Sequence, residues 1–212
     1  MNKHRFKETE LTGVYRAIAE RRDMRHFLPD AVDPEILARL LKAAHQAGSV
    51  GLMQPWRFIR ITNRQVREDI YQLVEQERVE TAKALGERED EFMKLKVEGV
   101  LECGELLVVA LPNNREKHVF GRRTLPEMDI ASTACAIQNL WLAARAEGLG
   151  LGWVSLFEPD ALAKLLNMPA GSRAIAILCL GHVEAFYKKP MLELENWAQA
   201  RPLEEFVSEN SW

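Results

Sequence analysis

Arg21-Arg22-Asp23-Met24-Arg25 places three guanidinium groups around one carboxylate, directly after an apolar-patterned run from Leu11 to Ala19. Arginine is the side chain best shaped to grip phosphate or carboxylate through paired hydrogen bonds, and it stays charged at any ordinary pH. By composition alone such a run is a solvated surface cluster. A second unusual stretch, Ser49-Val50-Gly51-Leu52-Met53-Gln54-Pro55-Trp56, sets the arginines in a different context. Gly51 gives it a permissive backbone and Pro55 pushes Gln54 out of helical geometry, so it reads as a loop.

Outward from these stretches, hydrophobic periodicity predicts a helix over Thr12 to Glu20 with Leu11, Val14 and Ile18 on one face, preceded by a frayed tail or an arm over residues 1–10. Asp33-Pro34 is a helix start, a capping carboxylate followed by proline at the first helical position. Ile36, Leu37, Leu40, Leu41 and Ala44 form the buried face of that helix. Trp56 to Ile61 reads as a strand with one covered face, with the Trp56 indole in the core. Asn63 caps a further helix that turns Val66, Ile70, Leu73 and Val74 inward. From Glu75 to Glu98 charges dominate and Gly86 interrupts the pattern. That excursion reads either as a mobile lid or as a solvated helix pair.

Leu106 to Leu111 is a continuous apolar run, a strand buried on both faces. A polar loop over 113–126 leads to a helix from Glu127 to Glu147 that is apolar nearly all round. Such a helix needs cover on every side, which predicts a dimer whose interface includes it. Gly148 to Trp153 turns into a strand, Glu158-Pro159-Asp160 opens a short helix, and Ala174 to Leu180 is another apolar strand. The region 184–212 reads as an extended arm suited to wrapping a partner subunit. The whole chain reads as a single α+β domain.

The 212 residues carry a net charge of −3, which gives no general affinity for nucleic acid, so any anion site must be local. Cys103, Cys135 and Cys179 each sit in an apolar run and read as buried, reduced thiols of a cytoplasmic protein rather than a disulfide framework. The five histidines show no ligand spacing, so no metal is expected. No signal peptide or run of transmembrane length is visible, and no membrane partner is expected. Gly148-x-Gly150-x-Gly152 follows a helix and has Trp153 in place of the third glycine, so it is not a dinucleotide fingerprint. Ser155 is not in a G-x-S-x-G elbow, and a serine at a strand end is commonly a backbone-bonding filler.

Taken together, Arg21 to Arg25, Ser49 to Trp56 with its Gln-Pro-Trp, Gly150-Leu151-Gly152-Trp153 and Arg201-Pro202-Leu203-Glu204-Glu205 resemble, in order and spacing over nearly the whole chain, the flavin-dependent nitroreductase superfamily. The resemblance implies a central, mainly antiparallel sheet surrounded by helices, in an intertwined homodimer with a C-terminal arm. Asp23 stands where the superfamily usually has Ser, and Leu52 where it often has Asn. These departures match a branch in which reduced FMN is the substrate. With O2 it is cut apart, giving 5,6-dimethylbenzimidazole, the lower ligand of vitamin B12, and a four-carbon sugar phosphate. NAD(P)H would enter only through a separate flavin reductase.

The resemblance places Arg21, Arg22 and Arg25, with Met24 in the same run, at the phosphate and ribityl end of FMN, joined by Arg201 from the arm. Asp23 reads either as an ion-pair partner that orders the arginines or, as the resemblance favours, as an ionised general base beside the ribityl chain. Ser155 is implied near the flavin ring, its hydroxyl or backbone bonding N5 and helping to orient an oxygen adduct, with Leu156 and Phe157 continuing that wall. Ser49 is implied at the phosphate or ribityl end, Met53 as apolar lining, and Lys96 near a flavin-contacting position. Two other functions fit the same residues: an NAD(P)H-dependent FMN nitroreductase or quinone reductase that leaves FMN intact, and a non-enzymatic flavin-binding storage protein.

Overall fold

The computed structural model describes residues 3–212. Four strands, β1 (Arg57–Arg60), β2 (Glu105–Leu111), β3 (Gly150–Val154) and β4 (Arg173–Gly181), form one antiparallel sheet in the order β1-β2-β4-β3. The continuous apolar run of β2 follows from its central place, because successive side chains point to opposite faces and both faces are covered. Leu107 and Val109 join Leu178 and Leu180 of β4 under helices α2 (Pro34–His45) and α5 (Met128–Ala146). Leu106 and Val108 join Ile177 and Cys179 under α3 (Arg64–Ala84) and α6 (Pro159–Leu165).

The helix starts follow their capping residues. Asp33 accepts a 2.7 Å hydrogen bond from the Glu35 amide, with Pro34 at the first helical position. Glu158 accepts one from Ala161 at 2.8 Å, again followed by proline. Asn63 accepts from Val66 at 3.2 Å. Asn63→Ala is expected to lower stability by about 1 kcal/mol, the usual cost of losing such a cap; chemical denaturation measures it, and an unchanged midpoint would mean that water satisfies the freed amide.

Three expectations need correction. α1 (Glu8–Glu20) begins inside the stretch read as a tail or an arm, because the Glu10 carboxylate accepts from the Lys7 amide at 2.8 Å there, and the apolar face read for it is not buried. Val14, Tyr15 and Ile18 are exposed. Within one chain α5 keeps an uncovered edge, as the reading that a dimer covers it requires, and such a dimer is not shown. Ile130, Ala131 and Cys135 are exposed along one edge, so Cys135 is not the buried thiol predicted, although Cys103 and Cys179 are buried. The inner face of α5 also holds a buried carboxylate that an apolar reading passes over. Asp129 receives Arg115 and Arg122, each at 2.9 Å, and these arginines tie the 113–126 loop to the helix start.

The excursion begins as a continuation of α3, which runs unbroken to Ala84. Gly86, at φ +57°, then turns the chain into a 3-10 turn (Gly86–Arg88) and α4 (Glu89–Met93). It is better packed than its composition suggests. Ala82, Phe92 and Leu95 make a small core of their own, with Leu85, Val97, Leu156 and Trp197 against it. Beyond β4 the chain has little regular structure: α7 (Met191–Leu194) and a 3-10 turn at Leu203–Phe206. Among the described residues no helix is long and apolar enough to cross a membrane.

Candidate active site

After α1 the chain turns extended at Arg21 and runs parallel to β3. Asp23 makes an isolated bridge to Leu151, and the Met24 amide donates to the Leu151 carbonyl at 3.0 Å. Two glycines make this approach possible. A Cβ on Gly152 would lie 2.2 Å from the Met24 carbonyl oxygen, and one on Gly150 would lie 3.0 Å from Met24 Cγ. The Gly150-x-Gly152 pattern therefore serves close backbone packing rather than a phosphate turn.

This packing opens a cavity of about 300 Å3 at the end of β3. Arg21, Arg22, Asp23 and Arg25 give it one polar side. Val154, Ser155 and Leu156 follow from β3, and Phe92, Leu95 and Val97 from the excursion supply an apolar wall. The arm closes a further side with Pro190, Met191, Leu192 and Trp197.

The three arginines are not equivalent. Arg22 is largely spent on the protein itself, donating to the carbonyls of Ala19 (2.8 Å), Arg21 (2.7 Å) and Lys188 (3.2 Å). Arg25 holds Asp23 and donates to the Trp153 carbonyl at 2.9 Å, yet among the described residues its Nη1 is buried without a hydrogen-bond partner, as is Nε of Arg22. The Arg21 guanidinium stacks 4.4 Å from the Trp141 ring centroid and makes no hydrogen bond among the described residues. Burial lowers its pKa from the usual value, against the opposing pull of Asp23.

Asp23 is fixed from two directions. Its Oδ1 accepts from the Trp153 amide at 2.9 Å and its Oδ2 from Arg25. Desolvation pushes the carboxyl above the ordinary range, while Arg25, the Trp153 amide and Arg21 pull it back. Cationic neighbours alone would lower it; here burial outweighs them. The side chain nonetheless keeps 39 % of its surface exposed, so the carboxylate remains reachable from the cavity. Ser155 is exposed and its hydroxyl makes no hydrogen bond among the described residues, so it is not the backbone-bonding filler that its position suggests.

Arg21, Arg22, Asp23, Arg25, Ser155 and Leu156 thus meet at one cavity. Met24 lies in the core, its side chain packed beneath Gly150. Ser49 accepts from the Gln54 amide at 3.0 Å and does not line the cavity. Lys96 pairs with Glu98 and Glu102, and Arg201 pairs with Glu205 under the Phe206 ring; neither lines the cavity. Sequence reasoning gave no role to Trp153, whose backbone holds both Asp23 and Arg25, or to Trp197, one of several aromatics in the arm. The loop after Ser49 is strained: Gly51, Leu52 and Gln54 all have positive φ, and Leu52 is 80 % exposed. Strain of this kind in non-glycine residues collects at functional sites.

The nitroreductase family model matches residues 18–182. The chain belongs to the nitroreductase family. Within that family it is 40% identical over 185 residues to the 5,6-dimethylbenzimidazole synthase of Rhodospirillum rubrum, covering 86% of this chain and 87% of the relative. The 5,6-dimethylbenzimidazole synthase of Rhodobacter capsulatus is 35% identical over 201 residues, covering 94% and 97%. Among solved nitroreductase folds, oxidized iodotyrosine deiodinase bound to FMN and 3-iodo-L-tyrosine superposes with a TM-score of 0.72 at 22% identity, over 94% of this chain and all of that one.

Proposed function

We propose that this nitroreductase-family chain is an oxidoreductase that cuts reduced FMN apart with O2 to give 5,6-dimethylbenzimidazole and a four-carbon sugar phosphate, the first of these being the product for which its relatives are named. The observation that carries the reading is Asp23: a carboxylate fixed by the Trp153 amide and Arg25, reachable from a cavity with cationic groups on one side and apolar groups on the other. FMN has matching parts, a phosphate, a hydroxylated chain and an apolar ring system. The unspent guanidinium of Arg21 and the unpartnered nitrogens of Arg25 and Arg22 suit an anionic, hydroxylated ligand. Apolar groups from β3, the excursion and the arm suit the ring.

Reduced FMN supplies the electrons and the carbon skeleton; the protein supplies position and proton transfer. Arg21 and Arg25 hold the anionic end by charge-assisted hydrogen bonds. Asp23, raised in basicity by burial, takes a proton from the bound chain or ring. The Ser155 hydroxyl, without a hydrogen-bond partner among the described residues, bonds the flavin ring at N5. The excursion over 75–98 acts as a lid that excludes water.

One chain brings only part of the predicted constellation together. In our reading, a homodimer supplies the rest through the strained Ser49–Met53 loop and the part of the C-terminal arm beyond Trp197, which carries Arg201. The exposed apolar side chains of α1 and α5, with Leu52 and Phe120, favour such an assembly. A separate flavin reductase would deliver reduced FMN.

Consumption of the flavin tests the reading against its rivals. With reduced FMN in air, FMN is expected to disappear in proportion to protein turnover. Repeated NAD(P)H oxidation with a nitroaromatic acceptor and intact FMN would mean a nitroreductase instead; binding without any turnover would mean a storage protein. Within the proposed reaction, Ser155→Ala is expected to weaken FMN affinity by no more than about tenfold, the loss of one hydrogen bond of about 0.5–1.5 kcal/mol at the ring, while lowering the product formed per O2. An unchanged product-to-O2 ratio would remove Ser155 from the mechanism.

A further inference from the structure

Residues 186–197 cross from the arginine cluster to the excursion, and each end is anchored by specific groups. At the root, the Tyr187 hydroxyl lies 2.7 Å from His26 Nδ1 and accepts from the Arg25 amide at 3.3 Å. Arg22 donates to the Lys188 carbonyl, and the Arg145 guanidinium sits 4.1 Å from the Phe186 ring centroid. At the far end, the Arg88 guanidinium lies 3.5 Å from the Trp197 ring centroid, and its Nη2 donates to the Trp197 carbonyl at 3.1 Å. Phe92 packs against the same indole at 5.9 Å, and Glu91 holds Arg88 from the other side at 2.9 Å. Between the anchors, Met191 and Leu192 face the cavity, stiffened by the Trp197 amide donating to the Leu192 carbonyl at 2.8 Å.

We propose that residues 186–197 are a strap across the cavity and that Arg88 and Trp197 latch it to the excursion, setting how long flavin stays enclosed. The inference rests on the reading that the cavity takes FMN, and it assigns a retention role to two residues outside the chemistry. Arg88 is a positioning residue here, because it acts on the ligand only through Trp197. The arrangement suits an arginine in particular: a planar guanidinium can stack on the indole and reach its backbone carbonyl at once, which an ammonium cannot. An open strap would let reduced FMN meet O2 unguarded. That side reaction is balanced as FMNH2 + O2 → FMN + H2O2, in which the flavin loses two electrons and two protons, O2 gains them, and no carbon bond breaks.

The test uses Trp197→Ala, Trp197→Phe and Arg88→Gln in the full chain, with circular dichroism to establish folding. The first readout is the release rate of oxidised FMN, followed by recovery of flavin fluorescence on dilution, which needs no turnover. Trp197→Ala and Arg88→Gln are expected to speed release by about threefold to thirtyfold, the range that one cation–π contact and its associated packing can supply. Trp197→Phe should stay near the parent, since a ring face remains. The second readout is H2O2 formed per reduced FMN consumed, expected to rise in the two fast-releasing variants. Release rates of both variants within about twofold of the parent would overturn the latch, and because Arg88 is a surface residue its variant reports even if Trp197→Ala does not fold. Failure of the functional reading looks different: the parent protein would hold FMN yet yield no 5,6-dimethylbenzimidazole, while the release rates would still decide the latch. A parent protein that binds no FMN would overturn both.

Discussion

Asp23→Asn is expected to bind FMN within about threefold of the parent and to lose 5,6-dimethylbenzimidazole formation by a factor of about 10²–10⁴, the usual contribution of a positioned general base. The substitution is nearly isosteric, and the Asn carbonyl can still accept from the Trp153 amide that now bonds Oδ1 at 2.9 Å. The segment from Arg21 to Arg25 is also held on β3 by its backbone, through the Met24 amide and Leu151. What disappears is the carboxylate's capacity to take a proton. The pH profile separates this role from mere ordering of the arginines. Asp23 works deprotonated and burial raises its pKa. Single-turnover rates should therefore fall as pH drops through a limb lying above the ordinary carboxylate value of about 3.9. Retained turnover in Asp23→Asn would leave the carboxylate as an ion-pair partner only.

Gly152→Ala is expected to destabilise the protein by about 3 kcal/mol or more, at or beyond the upper end of what overpacking usually costs. The new Cβ would sit 2.2 Å from the Met24 carbonyl oxygen and 3.3 Å from Arg25 Nη1. The obstruction is backbone, so no side-chain rotation relieves it. Either β3 moves away from residues 23–25 or that segment lifts, and both routes break the bridge that carries Asp23. FMN binding should fall together with stability. A lower urea midpoint at unchanged slope is the expected signature. Gly48→Ala, where a Cβ meets nothing within 4 Å, is the control and should change stability by less than about 1 kcal/mol. Equal midpoints for the two variants would mean that the strand-to-segment approach is not tight.

The difference between Gly152 and its apparent motif shows where sequence reading succeeds and where it stops. Local signals carried most elements: the caps at Asp33, Asn63 and Glu158 start the helices as predicted, and the apolar run of β2 lies at the sheet centre. The arginines, Asp23, Ser155 and Leu156 were legible as a group because the unusual charge density of Arg21 to Arg25 is local, and the resemblance linked it to β3. What sequence could not give was which hydrogen bonds each arginine has already made. Arg22 is consumed by carbonyls from its own turn and from the arm, a pairing set by tertiary structure alone. Asp129 was hidden for a related reason: one carboxylate in an apolar helix is silent until Arg115 and Arg122 fold back onto it. The exposed edges of α1 and α5 show the opposite limit, since apolar periodicity says that a face will be covered without saying by what.

The most direct measurement gives the purified protein reduced FMN in air and looks for 5,6-dimethylbenzimidazole by mass-resolved chromatography, alongside Asp23→Asn. The account predicts the base in the parent reaction, loss of FMN in step with it, and neither in the variant. Oxidised FMN recovered intact from the parent, with no such base, would contradict it.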